Sequence, residues 1–231
     1  MNFALVMREV FPLLMRGMVV TVQTTITALV IAVFLGLFTC LLGMSKFMAL
    51  RFISRGYIWV IRGTPLLVQT FFVYFGIPQF VQYLGFDFRL SPLAAGVITL
   101  SINAGAYIAE IFRGGIEAID HGQMEAARSL GLSHYRAMFR IILPQAVRIS
   151  IPSLVNQFII SLKDTSIISI ISLAEIVYEA KIYIGRTMQS FATWTIVGLF
   201  YLAIIAVLSH ISTRVEKRLD YGQKSRRQGT A

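Results

Sequence analysis

The sequence predicts an all-α integral membrane protein of five transmembrane helices, with a cytoplasmic helix-turn-helix loop between the third and fourth. Three observations carry that expectation. Of 231 residues, 56% are apolar and only 14% charged, with a mean hydropathy of +0.72, whereas soluble domains hold about a quarter charged residues. Four runs free of Asp, Glu, Lys and Arg are long enough to cross a hydrocarbon core about 30 Å thick, which takes roughly 20 helical residues. The Lys and Arg residues between the runs fall mostly on alternate sides. A soluble globular enzyme is excluded, because so few charges cannot cover a chain of this size without large exposed apolar patches.

The first run, Gly17 to Ser45, exceeds the apolar core of a cleaved signal peptide and reads as a retained anchor. Its small residues Ala28, Ala32, Gly36 and Cys40 recur every fourth position and form a smooth strip for close helix packing. The second run is Gly63 to Phe86, with Pro65 suited to a first helical turn and Arg62 before it as a snorkelling anchor. The third, Leu90 to Ala109, carries a second small-residue strip at Ser101, Gly105 and Ala109. Both strips are expected to pack inside one subunit. The fourth crossing is untidy: Ile149 to Leu162 is too short, and Lys163-Asp164 interrupts it. Starting the span at Pro144 brings Lys163 near its far end, and a break at the charged pair is expected. The fifth run is Thr187 to Thr213. Helices are required throughout, since lipid offers no partner for open backbone groups.

Orientation follows from the bases. The loops after spans one, three and five hold 15 of the 21 Lys and Arg, against 6 on the opposite side. Since Lys and Arg resist translocation in short loops, the amino terminus is expected outside and the carboxyl terminus in the cytoplasm. The formal charge of +10 does not point to nucleic acid, because the bases lie between apolar runs without stacking aromatics. The basic tail, about residues 214–231, is suited to anionic lipid headgroups. Cys40 stands alone and can form neither an intrachain disulfide nor a two-thiol metal site. The chain reads as one membrane domain, 1–231, without an internal repeat.

The loop from Glu110 to Arg148 is too long for a minimal connection and should be structured. Gln123 to Leu130 are good helix formers, with Met124, Ala127 and Leu130 spaced along one face. Gly131 supplies a left-handed stop, Ser133 a cap for a second helix through Ala137, Met138 and Ile141, and Pro144 its end.

These residues are also familiar. Glu125-Ala126-Ala127, three residues, Gly131, nine residues, Ile141, one residue and Leu143-Pro144 match the EAA signature of bacterial ABC importer permeases. Arg62-Gly63-Thr64-Pro65, Asn103-Ala104-Gly105-Ala106-Tyr107 and Lys163-Asp164-Thr165-Ser166 resemble that family's polar amino-acid branch, and the likeness spans about residues 15 to 215. The resemblance implies a five-helix permease of the bacterial cytoplasmic (inner) membrane. It further implies a loop at about 110–148 that docks into a cytoplasmic ATPase carrying ATP and Mg, a second permease copy or homologous permease, and an extracytoplasmic solute-binding protein. In the docking loop Ala126 and Ala127 let a partner approach, Gly131 sets the angle between the two helices, and Glu125 offers a carboxylate unless Arg128, three residues on, satisfies it.

The chain has no Gly-Lys-Ser/Thr, and none of its lysines follows a glycine, so P-loop hydrolysis belongs elsewhere. No metal-ligand or Ser/His/Asp spacing occurs, and His121, His134 and His210 read as ordinary surface residues. Polar groups inside spans are the candidates for a transport path. Asn103, Tyr107 and Glu110 share one face of span three; Gln69 lies in span two and Asn156 and Gln157 in span four; each could equally make one interhelical hydrogen bond. Lys163, Asp164, Thr165 and Ser166 offer both donors and acceptors for a zwitterion at the expected break, or else end a helix at the outer headgroups. An ion-coupled carrier or channel without an ATPase is the alternative class. It calls for internal repeats or stacked intramembrane carboxylates, neither of which the sequence contains.

Overall fold

The computed structural model describes residues 3–228, with side chains to residue 214. In chain order the helices are α1 Phe3–Gly43, α2 Met48–Arg62, α3 Leu66–Phe71, α4 Ile77–Tyr83, α5 Pro92–Glu117, α6 His121–Ser129, α7 His134–Ala137, α8 Leu143–Ile168, α9 Ile176–Thr187 and α10 Ser190–Gln228. Single π-turns, Phe72–Gly76 and Met138–Ile142, join α3 to α4 and α7 to α8. Each π-turn ends two residues before a proline, Pro78 or Pro144. A proline ring clashes with the carbonyl four residues back, and a widened turn relieves that clash, so both helices continue where a proline would otherwise stop them. Among the described residues, four helices are long and apolar enough to cross a membrane: Phe3–Gly43, Pro92–Glu117, His134–Ile171 and Ser190–Arg214. A fifth crossing is formed if α2 and Leu66–Tyr83, which bend by 105° between them, count together as one broken span.

The all-helical membrane architecture is as the sequence predicts, with four to five crossings, and several boundaries are not. α1 begins at Phe3 rather than Gly17. Its first turns bury Val6, Val10 and Leu14 against Ile176, Ala180 and Tyr183 of α9 and Ala192, Ile196 and Val197 of α10, with edge-on aromatic pairs Phe3–Phe191 and Phe11–Phe200. α2 has no counterpart among the expected elements. Its arginines remove it from a search for uncharged runs, yet Met48, Phe52, Ile53, Trp59 and Val60 are exposed along it, while Ser54 donates to the Thr39 carbonyl at 2.8 Å and Tyr57 to the Ile102 carbonyl at 2.6 Å.

α5 runs on through Glu117, so the connection expected from Glu110 starts later. The charges there pair along the helix, Arg113 with Glu110 three residues before and Glu117 four after. The fourth crossing does not break at Lys163-Asp164. α8 continues to Ile168, a 3₁₀ turn follows at Ser169–Ile171, and Ser172 takes a left-handed conformation with φ 66° that turns the chain into α9. Lys163 is exposed and Asp164 half-buried, and α8 passes through both without a break.

The core is the crossing of α1 and α5. Ala28, Ala32, Gly36 and Cys40 of one strip and Ser101, Gly105 and Ala109 of the other are all buried, and a Cβ on Gly36 would lie 2.9 Å from the Gly105 carbonyl oxygen. The strips therefore meet within the chain. Thr21 and Thr25 keep their hydroxyls on α1 itself, bonding the Gly17 and Thr21 carbonyls. Val19, Val30, Phe34 and Phe38 of α1 and Leu199, Leu202 and Val207 of α10 point outward, the reverse of a soluble bundle.

Candidate functional site

The EAA segment forms a knob at one end of the bundle. Asp120 caps α6 by accepting from the Gly122 amide at 2.7 Å, and Ser133 caps α7 by accepting from the Arg136 amide, as its sequence position suggests. Between them Gly131 stands at φ +83°, where a β-carbon is disfavoured. Its amide bonds the Arg128 carbonyl and the next amide, of Leu132, the Ala127 carbonyl, which closes the helix end. Ala127 is buried, with Met124 partly so against the cluster of Phe112, Ile116, Ile119, Met138 and Ile142. Leu130 departs from the face its spacing predicts and is 84% exposed.

Glu125, Ala126 and Pro144 are exposed, while Ile141 and Leu143 pack partly against the same cluster. Glu125 has no ion-pair partner among the described residues, so Arg128 does not satisfy it. The second half of the knob is not a separate helix ended by Pro144. It runs through the π-turn directly into α8, so the loop and the fourth crossing are one rod.

The polar groups inside the bundle separate into two sets. On α5, buried Asn103 donates to Gln69 Oε1 at 2.9 Å, and the Gln69 amide nitrogen donates to the Ile61 and Thr64 carbonyls and to the Thr64 hydroxyl. The bend between α2 and α3 is thus tied to α5. Tyr107 lies one turn further along, its ring 5.3 Å below the Arg62 guanidinium. Glu110 receives Arg62 at 3.3 Å and Arg113 at 2.9 Å. Arg62 therefore turns onto α5 and does not serve simply as the expected anchor. On α8, Gln157 is buried and donates to Ser161 at 3.4 Å, and it lines, with exposed Asn156, a hollow that also includes Ile111, Pro152, Ser153 and Ser212. Thr165 is buried and returns its hydroxyl to the Leu162 carbonyl, and Ser166 returns its own to that of Lys163. No hydrogen bond or ion pair joins the two sets among the described residues.

Glu175 is a functional-looking group that sequence reasoning does not single out. Its side chain is 0% exposed, it caps α9 by accepting from the Tyr178 amide at 2.7 Å, and its second oxygen accepts from the Tyr201 hydroxyl at 3.3 Å. Burial pushes its carboxyl above the usual range, opposed by bonds from the Val177 and Tyr178 amides and by Lys181. The one available signal is its isolation in an apolar stretch, with Lys181 six residues on as the nearest base in sequence.

Comparison with known proteins agrees with this geometry. Residues 28–221 match the family described as binding-protein-dependent transport system inner membrane component. The L-cystine transport system permease protein TcyB of Bacillus subtilis is 39% identical over 217 residues, covering 94% of this chain and 90% of that protein. The glutamine transport system permease protein GlnP of Escherichia coli is 38% identical over 208 residues, covering 90% and 93%. A solved amino acid ABC transporter with histidines superposes with a TM-score of 0.86 at 39% identity, over 94% of this chain and 99% of that one. The MetNI methionine ABC transporter shares the fold, with a TM-score of 0.73 at 16% identity over 90% of this chain. The knob, the membrane crossings and these likenesses lead to one assignment: the chain belongs to the family of inner membrane components of binding-protein-dependent transport systems and is a transmembrane permease subunit.

Proposed function

We propose that this permease carries polar amino acids inward, driven by a separate ATPase that grips the knob formed by α6, Gly131 and α7. The observation that carries the reading is how the knob presents its residues: Ala127 is tucked into the bundle while Glu125, Ala126, Leu130 and Tyr135 face outward, so a surface with one unpaired carboxylate and two large apolar side chains is free for a partner. Amino-acid cargo is supported by the relatives, whose names specify cystine and glutamine. ATP and Mg belong to the partner. The whole chain acts as one membrane domain, pairs with a second copy or a homologous permease around a central path, and receives substrate from a solute-binding protein outside. The distribution of Lys and Arg supports an orientation in a bacterial inner membrane with the knob and carboxyl terminus in the cytoplasm and the amino terminus outside.

Within this reading Asn103, Tyr107 and Glu110 of α5 and Asn156, Gln157, Lys163, Asp164 and Thr165 of α8 are the path candidates. Each is the kind of group that persists in a span when it faces cargo or another polar group.

The test is purification of the permease from its own membranes with and without Gly131→Pro. Proline fixes φ near −65° and cannot adopt the +83° of this turn. The expected result is a P-loop ATPase retained by the wild type and lost from the variant while the permease still inserts. Equal retention by both, or labelling of the knob only from outside, would overturn the reading.

A further inference from the structure

Two contiguous hollows run between α2 and α5 near the knob end. One, of about 480 Å³, is lined by Arg55, Trp59, Arg62, Tyr107 and Glu110. The other, of about 390 Å³, shares Arg55 and Glu110 and adds Arg113 and Glu117. Both volumes fall in the usual small-molecule range of roughly 300–1,000 Å³. Their charges do not balance: three guanidiniums face two carboxylates.

The surplus has a definite location. Arg113 is engaged through all three of its nitrogens, with both oxygens of Glu110 at 3.0 and 2.9 Å and Glu117 at 2.7 Å. Arg62 reaches Glu110 through a single 3.3 Å contact. Arg55 is exposed and has no hydrogen-bond or ion-pair partner among the described residues. A guanidinium has five N–H donors in a fork that fits a carboxylate, so two forks stand open beside an aromatic wall of Trp59 and Tyr107. Glu110, held laterally by Arg113, is the one acceptor in the hollow that Arg62 can release.

We propose that this cleft is an exit subsite for the transported α-amino acid. Arg55 and Arg62 take its carboxylate, and Glu110 takes its ammonium as Arg62 swings away, so the loose internal ion pair is exchanged for two pairs to cargo. The inference rests on the importer reading and deepens it by naming the recognised groups, the α-carboxylate and α-ammonium common to all amino acids. It also gives Arg55 and Arg62 a role in binding. Cargo accumulated on the knob side then occupies the cleft and slows further import.

The complete transporter, permease with its ATPase, is reconstituted in proteoliposomes with ATP inside. Uptake of radiolabelled L-glutamine, L-cystine and L-arginine is followed in the presence of the binding protein, while the lumen holds increasing unlabelled amino acid. The readout is the lumenal concentration that halves each variant's own initial rate. Wild type is expected to slow, and Arg55→Gln to need about tenfold more lumenal amino acid, with Arg55→Lys between them. Arg62→Gln, which removes the second guanidinium and leaves the Arg113–Glu110 pairing in place, is expected to shift the half-inhibition in the same direction as Arg55→Gln. Uptake with the same half-inhibition in wild type, Arg55→Gln and Arg62→Gln overturns the subsite and leaves the importer reading intact. No uptake of any of the three by wild type overturns both.

Discussion

The two ends of the bundle are built on opposite principles. At the end remote from the knob, Glu175 is sealed among α9 amides and Tyr201, and Gly17 of α1 is pressed so closely on the start of α9 that a Cβ would lie 2.7 Å from the Ile176 nitrogen. At the knob end, charged side chains line open clefts, and a Cβ on Gly56 of α2 would meet nothing within 4 Å. Interiors packed to this density resist small displacements, whereas a half-exposed ion pair is held by little, typically about 0–1 kcal/mol. The remote end is suited to stay fixed while the knob end rearranges.

The sharpest way to break this contrast is to add one methyl group at each end. Gly17→Ala forces α1 away from α9 and is expected to destabilise by about 1–3 kcal/mol, read as earlier thermal aggregation in detergent. A smaller effect is expected from pH. Glu175 has a folded pKa above its unfolded value, so as pH rises through the ordinary carboxylate range the unfolded chain ionises first and stability falls. Glu175→Gln is expected to flatten that part of the stability profile, and an unchanged slope would show that the carboxyl is not sealed. The smallest expected effect is at the other end. Gly56→Ala meets no atom and gains helix propensity, so it should stabilise by at most about 1 kcal/mol, and a clear loss would mean that α2 is packed more tightly than the contrast allows.

The architecture is readable in the sequence where one physical signal dominates. α5 and α10 announce themselves as long uncharged runs, Gly131 as a left-handed stop, and the two small-residue strips as a close crossing. Other features are hidden because two signals compete. Arg51, Arg55 and Arg62 mask the apolar side of α2, and Pro144 reads as a terminator because a π-turn leaves no mark in composition.

Lys163-Asp164 suggests a broken helix on cost grounds, but α8 accommodates the pair with Lys163 exposed and Asp164 half-buried and stays helical to Ile168. The real turn, at Ser172, uses a residue with no glycine signature. Of the polar candidates, the pairing of Asn103 with Gln69 and the convergence of Arg62 on Tyr107 and Glu110 depend on the 105° bend between α2 and α3, which no local pattern specifies. The tail's basic side chains beyond Arg214 lie outside the described residues.

The unbroken course of His134–Ile171, 38 residues and so roughly 57 Å long at 1.5 Å per residue, has a mechanical corollary. If the proposed partner pushes at the α7 end and the seal around Glu175 holds the other, such a rod would act as a crank, its pushed tip sweeping the widest arc while the far tip barely travels. In that reading the π-turn beside Pro144 would be the joint that sets how much of a push is taken up in flexing before the rest of the rod turns.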